Sequence, residues 1–229
     1  MRPCIHQLSV GESEVDGWKM FCTAETTIAA IRKVAATIAE HREELIELDR
    51  AIGDADHGEN LNRGFTTVLA SLEGKVLETP GAVLKLVATT LISQVGGAAG
   101  PLYGTGFLRA ATSLDDQSEV DAEKVVAALR AALEGVQARG KASVGDATMV
   151  DALAPAVLAA QSAVDQGSGL ADALFAAAQA ADQGAESTVD LVAHKGRASY
   201  LGERAIGHMD PGARSTALVL RAFAQAASE

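Results

Sequence analysis

Three aspartates, Asp49, Asp54 and Asp56, fall within eight residues in the stretch LDRAIGDADHGENLNRGF, residues 48–65. Carboxylates this close repel one another unless a cation neutralises them. An all-oxygen set suits a hard ion such as Mg²⁺ or Ca²⁺. The helix read before the stretch turns its partly negative C-terminus toward it, which also favours a cation. The helix read after it begins near Asn60, and N–H groups at a helix start favour an anion. A cation on one side and a phosphate on the other is what a metal–nucleotide complex needs. A solvated acidic turn with Asn60 as an N-cap accounts for the same spacing. An EF-hand does not: Gly58 falls at the fifth loop position counted from Asp54, and Phe65 stands where the twelfth-position Glu belongs.

A second stretch, GGAAGPLYGTGF at residues 96–107, has six glycines and prolines in twelve positions and reads as irregular. Its backbone N–H groups suit phosphate oxygens. No Gly-Lys-Ser/Thr follows, so it is not a Walker A loop. Gly104-Thr105-Gly106 has no third glycine and no preceding strand, so it is not a dinucleotide fingerprint either. Taken alone, the stretch is better explained by a tight helix–helix turn. Met149 lies on an inward stripe and reads as core. Arg197 and Asp210-Pro211-Gly212 belong to a glycine-rich segment at 194–214, where an arginine is ordinarily just solvated. His194 and His208 flank that segment without a metal-ligand spacing, and no nucleophile–base order can be defended.

The elements that must position these residues all carry the helical period. Ile28, Ile31, Ala35, Ile38, Leu45 and Leu48 form one stripe, stopped by Gly53. Leu61, Phe65, Val68, Leu69 and Leu72 form the next. Pro80 and Gly81 open a helix over about 81–95 that is apolar nearly all round and so deeply buried. Further helices are expected from near Gly106, over about 121–139, from Met149 with a break or kink at Pro155, over about 169–190, and through Leu218 to Phe223. That makes about eight helices, no strand and a single all-α domain over 23–229. Residues 1–22 show no sustained period, and a poorly ordered extension is the expectation there.

The formal net charge is 19 − 30 = −11, a poor match to nucleic acid or to an anionic membrane surface. Hydrophobic residues make up 48% of the 229 while aromatics are only 3%, which suits helices packed through small side chains. Cys4 and Cys22 have no metal-ligand spacing and no disulfide framework is expected. Neither a spanning segment nor a signal peptide is read, so the expected location is cytoplasmic.

Four pieces, LDRAIGDADHGENLNRGF, GGAAGPLYGTGF, GDATMVDALAPA and GRASYLGERAIGHMDPGA, together resemble the nucleotide-binding L subunit of dihydroxyacetone kinase, the DhaL family. The resemblance covers about residues 25–229, and its Asp-x4-Asp-x-Asp-His-Gly-x-Asn string is highly specific. It implies an eight-helix antiparallel barrel that binds ADP or ATP at one end through two Mg²⁺ ions. By resemblance, Asp49, Asp54 and Asp56 are metal ligands, and His57 and Asn60 border the phosphates. The Gly97–Gly100 loop, with Ala98 and Ala99, covers them. Gly140, Met149, Arg197, Asp210, Pro211 and Gly212 line the nucleotide, with Met149 against the purine. Only the resemblance moves Met149 from core to site. It also implies phosphoryl transfer to a small ketose held by a separate K subunit, with no catalytic residue beyond the metal ligands.

One branch of the family keeps ADP as a coenzyme that a phosphotransferase-system protein rephosphorylates, and a stand-alone L chain fits that branch. ATP-dependent triose and tetrulose kinases form the other. A nucleotide-loaded module acting on a transcription regulator is a third role known in the family. The family's glycine loop commonly carries a serine where this chain has Ala99, a change of about 1 kcal/mol if one hydrogen bond is lost.

Overall fold

The computed structural model describes residues 21–229, so the expectation for residues 1–20 lies outside it. Among the described residues are nine α-helices: α1 (Ala24–Glu40), α2 (Arg42–Ile52), α3 (His57–Leu72), α4 (Pro80–Gln94), α5 (Ala99–Ser113), α6 (Ala122–Gly140), α7 (Met149–Asp165), α8 (Leu170–Ser187) and α9 (Pro211–Ser228). Local chemistry sets their starts. Thr23 caps α1 in a capping box with Thr26, and Thr79 caps α4 ahead of Pro80. Asp121 caps α6, and Thr148 caps α7 with Asp151.

Eight of these helices close a ring. α1 packs on α3, and then α4, α5, α6, α7, α8 and α9 follow in chain order until α9 returns to α1. Short connections make sequential neighbours antiparallel. The expected eight-helix barrel is therefore present, with α2 as a ninth helix packed on α3 and α9. The core runs along the inside of the ring, through Ile31, Phe65, Val87, Val150 and Leu218. Phe65 of α3 meets Phe107 of α5 edge to face at 6.5 Å.

The structure corrects six readings. The long first helix breaks at His41 into α1 and α2. The period hid the break, because Ile38 and Leu45 stay buried on either side. The helix after the aspartates starts at His57, not near Asn60. The glycine-rich stretch is helical from Ala99, seven residues before the expected start. Its glycines are spent on close packing: a Cβ on Gly100 would collide with the Val95 carbonyl, and one on Gly104 with Ile92. Two short strands, β1 (Cys22–Thr23) and β2 (Glu119–Val120), pair antiparallel where none was read. The segment between α8 and α9 carries 3-10 turns at Thr188–Asp190 and Arg197–Ala205, and α9 begins inside the span read as loop. α7 runs through Pro155 as one helix. No helix among the described residues is long and apolar enough to cross a membrane.

Candidate functional site

Because neighbouring helices alternate in direction, connections 53–56, 95–98, 141–148 and 188–210 gather at one end of the ring. They surround a cavity of about 510 Å³. All thirteen residues singled out in the sequence border it: Asp49, Asp54, Asp56, His57, Asn60, Ala98, Ala99, Gly140, Met149, Arg197, Asp210, Pro211 and Gly212.

One carboxylate oxygen from each of Asp49, Asp54 and Asp56 lies within 4.8 Å of the others. Asp49 is buried at 8% exposure, whereas Asp54 and Asp56 are exposed. Asp49 sits in the last turn of α2, and its Oδ2 accepts the N–H groups of Asp56 (2.8 Å) and His57 (3.1 Å). It thereby caps α3, a task Asp56 at the N-cap position does not perform. Ala55 between them is held at φ 62, which lets Asp54 and Asp56 point to the same place as Asp49. Arg197 reaches in from the last connection and pairs with Asp54 Oδ2 at 2.7 Å. Clustered hard oxygens with one cation beside them match the donor set of Mg²⁺.

Four helices, α3, α5, α7 and α9, begin at this end. Asp49 caps α3, Thr148 and Asp151 cap α7, and Asp210 caps α9 through Ala213 N–H at 2.7 Å. Only α5 has no side-chain cap, since Ala98 stands at its N-cap position and Gly97 before it turns at φ 65. The first N–H groups of α5 are therefore the ones left for a ligand, and they border the same cavity as the carboxylates. Asn60 Oδ1 accepts from Arg63 at 2.6 Å, which leaves its amide N–H₂ as the group to offer.

Electrostatics differ around the rim. Burial lowers the pKa of His57, against the raising effect of Asp49 and Asp56. Burial pushes Asp210 up to about 7, helped by the charges of Asp151 and Asp49 and opposed by the N–H groups of Ala213 and Gly212. Buried Asp151 holds connection 141–148 in shape by accepting from Gly145 (2.5 Å) and Thr148 (2.7 Å).

Sequence reasoning missed several lining residues. Arg139 and Lys195 add positive charge to the rim, and each sits one or two residues from a position that was singled out. Tyr103 was hidden inside a stretch read as irregular. It stands four residues after Ala99 on α5 and separates the polar cavity from a second, apolar one of about 220 Å³ inside the ring. Met149 and Val136 border both cavities as well.

Comparison with known proteins adds the following. The DAK2 domain model matches residues 51–225. The ADP-binding subunit DhaL of a PEP-dependent dihydroxyacetone kinase from Escherichia coli K12 is 46% identical over 187 residues, spanning 82% of this chain and 89% of that one. A PTS-dependent counterpart from Lactococcus lactis is 40% identical, spanning 85% and 93%. The crystal structure of the dihydroxyacetone kinase from C. freundii in complex with AMP-PNP and Mg²⁺ superposes with a TM-score of 0.69 at 28% identity. That match takes in all of this chain and 38% of the longer C. freundii chain.

Proposed function

The chain belongs to the DAK2 domain family, and on that premise we propose that it is the ADP-binding subunit of a dihydroxyacetone-type kinase. In this reading Asp49, Asp54 and Asp56 hold Mg²⁺, two ions in all, and the nucleotide phosphates lie between them and the start of α5. Mg²⁺ held by these carboxylates would supply positive charge to offset the negative charge that develops during phosphoryl transfer. The chain's own residues bind and orient. The N–H groups at Ala98 to Gly100 and the Asn60 amide meet phosphate oxygens, and His57 borders them. Arg197 adds positive charge at the outer edge. Gly140 and Met149 flank the base, with the Asp210–Gly212 turn closing that wall. In this reading, as the family resemblance implies, the ketose belongs on a separate K subunit and a phosphotransferase-system protein recharges bound ADP.

One observation carries the reading: a carboxylate triad at the end of α2 borders the same cavity of about 510 Å³ as the start of α5, which alone among the four helices that begin at this end has no side-chain cap. The test is mass spectrometry of nucleotide released from the purified protein, before and after prolonged dialysis with Mg²⁺ present. Retained, near-stoichiometric ADP is expected. Nucleotide that washes out, with ATP binding reversibly, reassigns the chain to an ATP-dependent triose or tetrulose kinase. Absence of nucleotide in both states overturns the site. Co-purification with a transcription regulator, without turnover beside any K subunit, would identify the effector role instead.

A further inference from the structure

Behind His57 lies a chain of buried hydroxyls that no part of the nucleotide reading uses. His57 Nε2 is 2.8 Å from Ser215 Oγ, which is 2.7 Å from Tyr103 Oη, which is 3.0 Å from Thr216 Oγ1. Ser215, Thr216 and Tyr103 are 0%, 3% and 6% exposed. The residues come from three walls of the cavity: the start of α3, the second turn of α5 and the second turn of α9. The far end of the chain meets the Gly212 carbonyl, 2.8 Å from Thr216 Oγ1, in the turn that closes the opposite wall.

We propose that Ser215, Tyr103 and Thr216 are positioning residues for His57, fixing the ring and selecting the tautomer that presents Nδ1–H to the nucleotide phosphates. The argument rests on the nucleotide reading and on proton counting. Nε2 is occupied by Ser215, so Nδ1 is the ring nitrogen left for a ligand. An anion there requires Nδ1 to carry the proton, and a neutral ring then needs a donor at Nε2. Each hydroxyl has one proton to give. Thr216 Oγ1 donates to the Gly212 carbonyl, Tyr103 donates to Ser215, and Ser215 donates to Nε2 in preference to the Gly212 carbonyl 3.1 Å away. Each hydroxyl proton has an acceptor in this order, which makes a half-broken chain costly. The same order ties the phosphate side of the cavity to the turn at Gly212, so the two walls hold a common spacing.

The test uses protein labelled with ¹⁵N-histidine and titrated with ADP and Mg²⁺. In the wild type, His57 is expected to show a protonated Nδ1 and a bare Nε2, assigned by the signal lost in His57→Asn. Ser215→Ala is expected to move both nitrogens toward tautomer averaging and to weaken ADP about tenfold, the scale of one misplaced charge-assisted hydrogen bond. Tyr103→Phe, which leaves Ser215 in place, should weaken it less. In a His57→Ala background, Ser215→Ala should add nothing, which separates positioning from general loosening. An unchanged ADP affinity in Ser215→Ala overturns the proposal. So does an equal loss in the His57→Ala background, or averaged tautomers in the wild type. Wild-type protein that binds no ADP overturns the nucleotide reading and this inference together.

Discussion

Connections 53–56, 95–98, 141–148 and 188–210 at one end of the ring differ from connections 73–79, 114–121 and 166–169 at the other in what their backbones carry. The first set holds eight of the eleven described residues with positive φ: Ala55, Gly97, Lys141, Gly145, Ala147, Gly196, Gly202 and Gly207. The second set holds Gly74, Asp115 and Gly167. Three of the first group are not glycine, and a left-handed L-residue costs about 1–2 kcal/mol. The far end needs only to reverse the chain, and it does so over an apolar interior. The cavity end must aim carboxylates and bare N–H groups at one point, and its conformations are held by buried polar groups such as Asp49 and Asp151. Helices of the same ring thus end in joints with different tasks, and backbone strain gathers where the ligand groups converge.

The largest test of that contrast removes charge from each end. Asp54→Asn combined with Asp56→Asn should weaken Mg²⁺–ADP by roughly 100-fold or more in calorimetry, with little change in Tm, because both side chains are exposed. Asp115→Asn with Asp116→Asn, at the far end, should leave affinity unchanged. Asp49→Ala should lose both properties. It removes one of the three proposed metal ligands and also the cap on α3, at about 1 kcal/mol of stability. A pure binding defect with unaltered Tm would show that Asp49 does not cap.

A smaller effect should come from relieving strain. Ala55→Gly is expected to stabilise the ligand-free protein by about 0.5 kcal/mol and to weaken ADP a few-fold, since the loop is no longer preset. Asp115→Gly should stabilise similarly without touching affinity. Equal behaviour of the two variants would erase the distinction between the ends.

A separate test concerns pH. Asp210 titrates near 7 in the folded protein but near 3.8 when exposed. Between those values the unfolded chain has lost the proton that the folded chain keeps. Its contribution to stability is therefore full below about pH 4 and falls until about pH 7. Asp210→Asn should flatten that slope in denaturant titrations of the ligand-free protein, and a slope that survives the substitution would assign it to another group.

What could be read from the sequence follows from the range of each interaction. Asp49, Asp54 and Asp56 were visible because their geometry is local, one helix end and one short turn. The stripe from Leu61 to Leu72 was visible for the same reason. The start of α5 was not, because intrinsic propensity counts every glycine as a break, while here Gly100 and Gly104 let α5 approach Val95 and Ile92. The His41 break was hidden by an unbroken period. The His57–Ser215–Tyr103 chain spans 158 and 112 residues in sequence and left no local mark. Met149 stood between core and site, and it borders both the polar and the apolar cavity.

The closure of the ring by α9 against α1 also sets an order of events during folding. Every other seam except α1–α3, which spans the short α2, joins helices adjacent in the chain, so those contacts are local and quick to form. The last seam links residues as distant as Lys33 and Glu229, 196 positions apart. Each doubling of such a separation costs only about 0.6 kcal/mol in loop closure, so the penalty falls on timing more than on final stability. On the ribosome α9 emerges last. Until it docks, the inward faces of α1 and its neighbours, Ile31 and Val34 among them, wait uncovered in an open arc, and that interval is when the chain is most exposed to association with another copy.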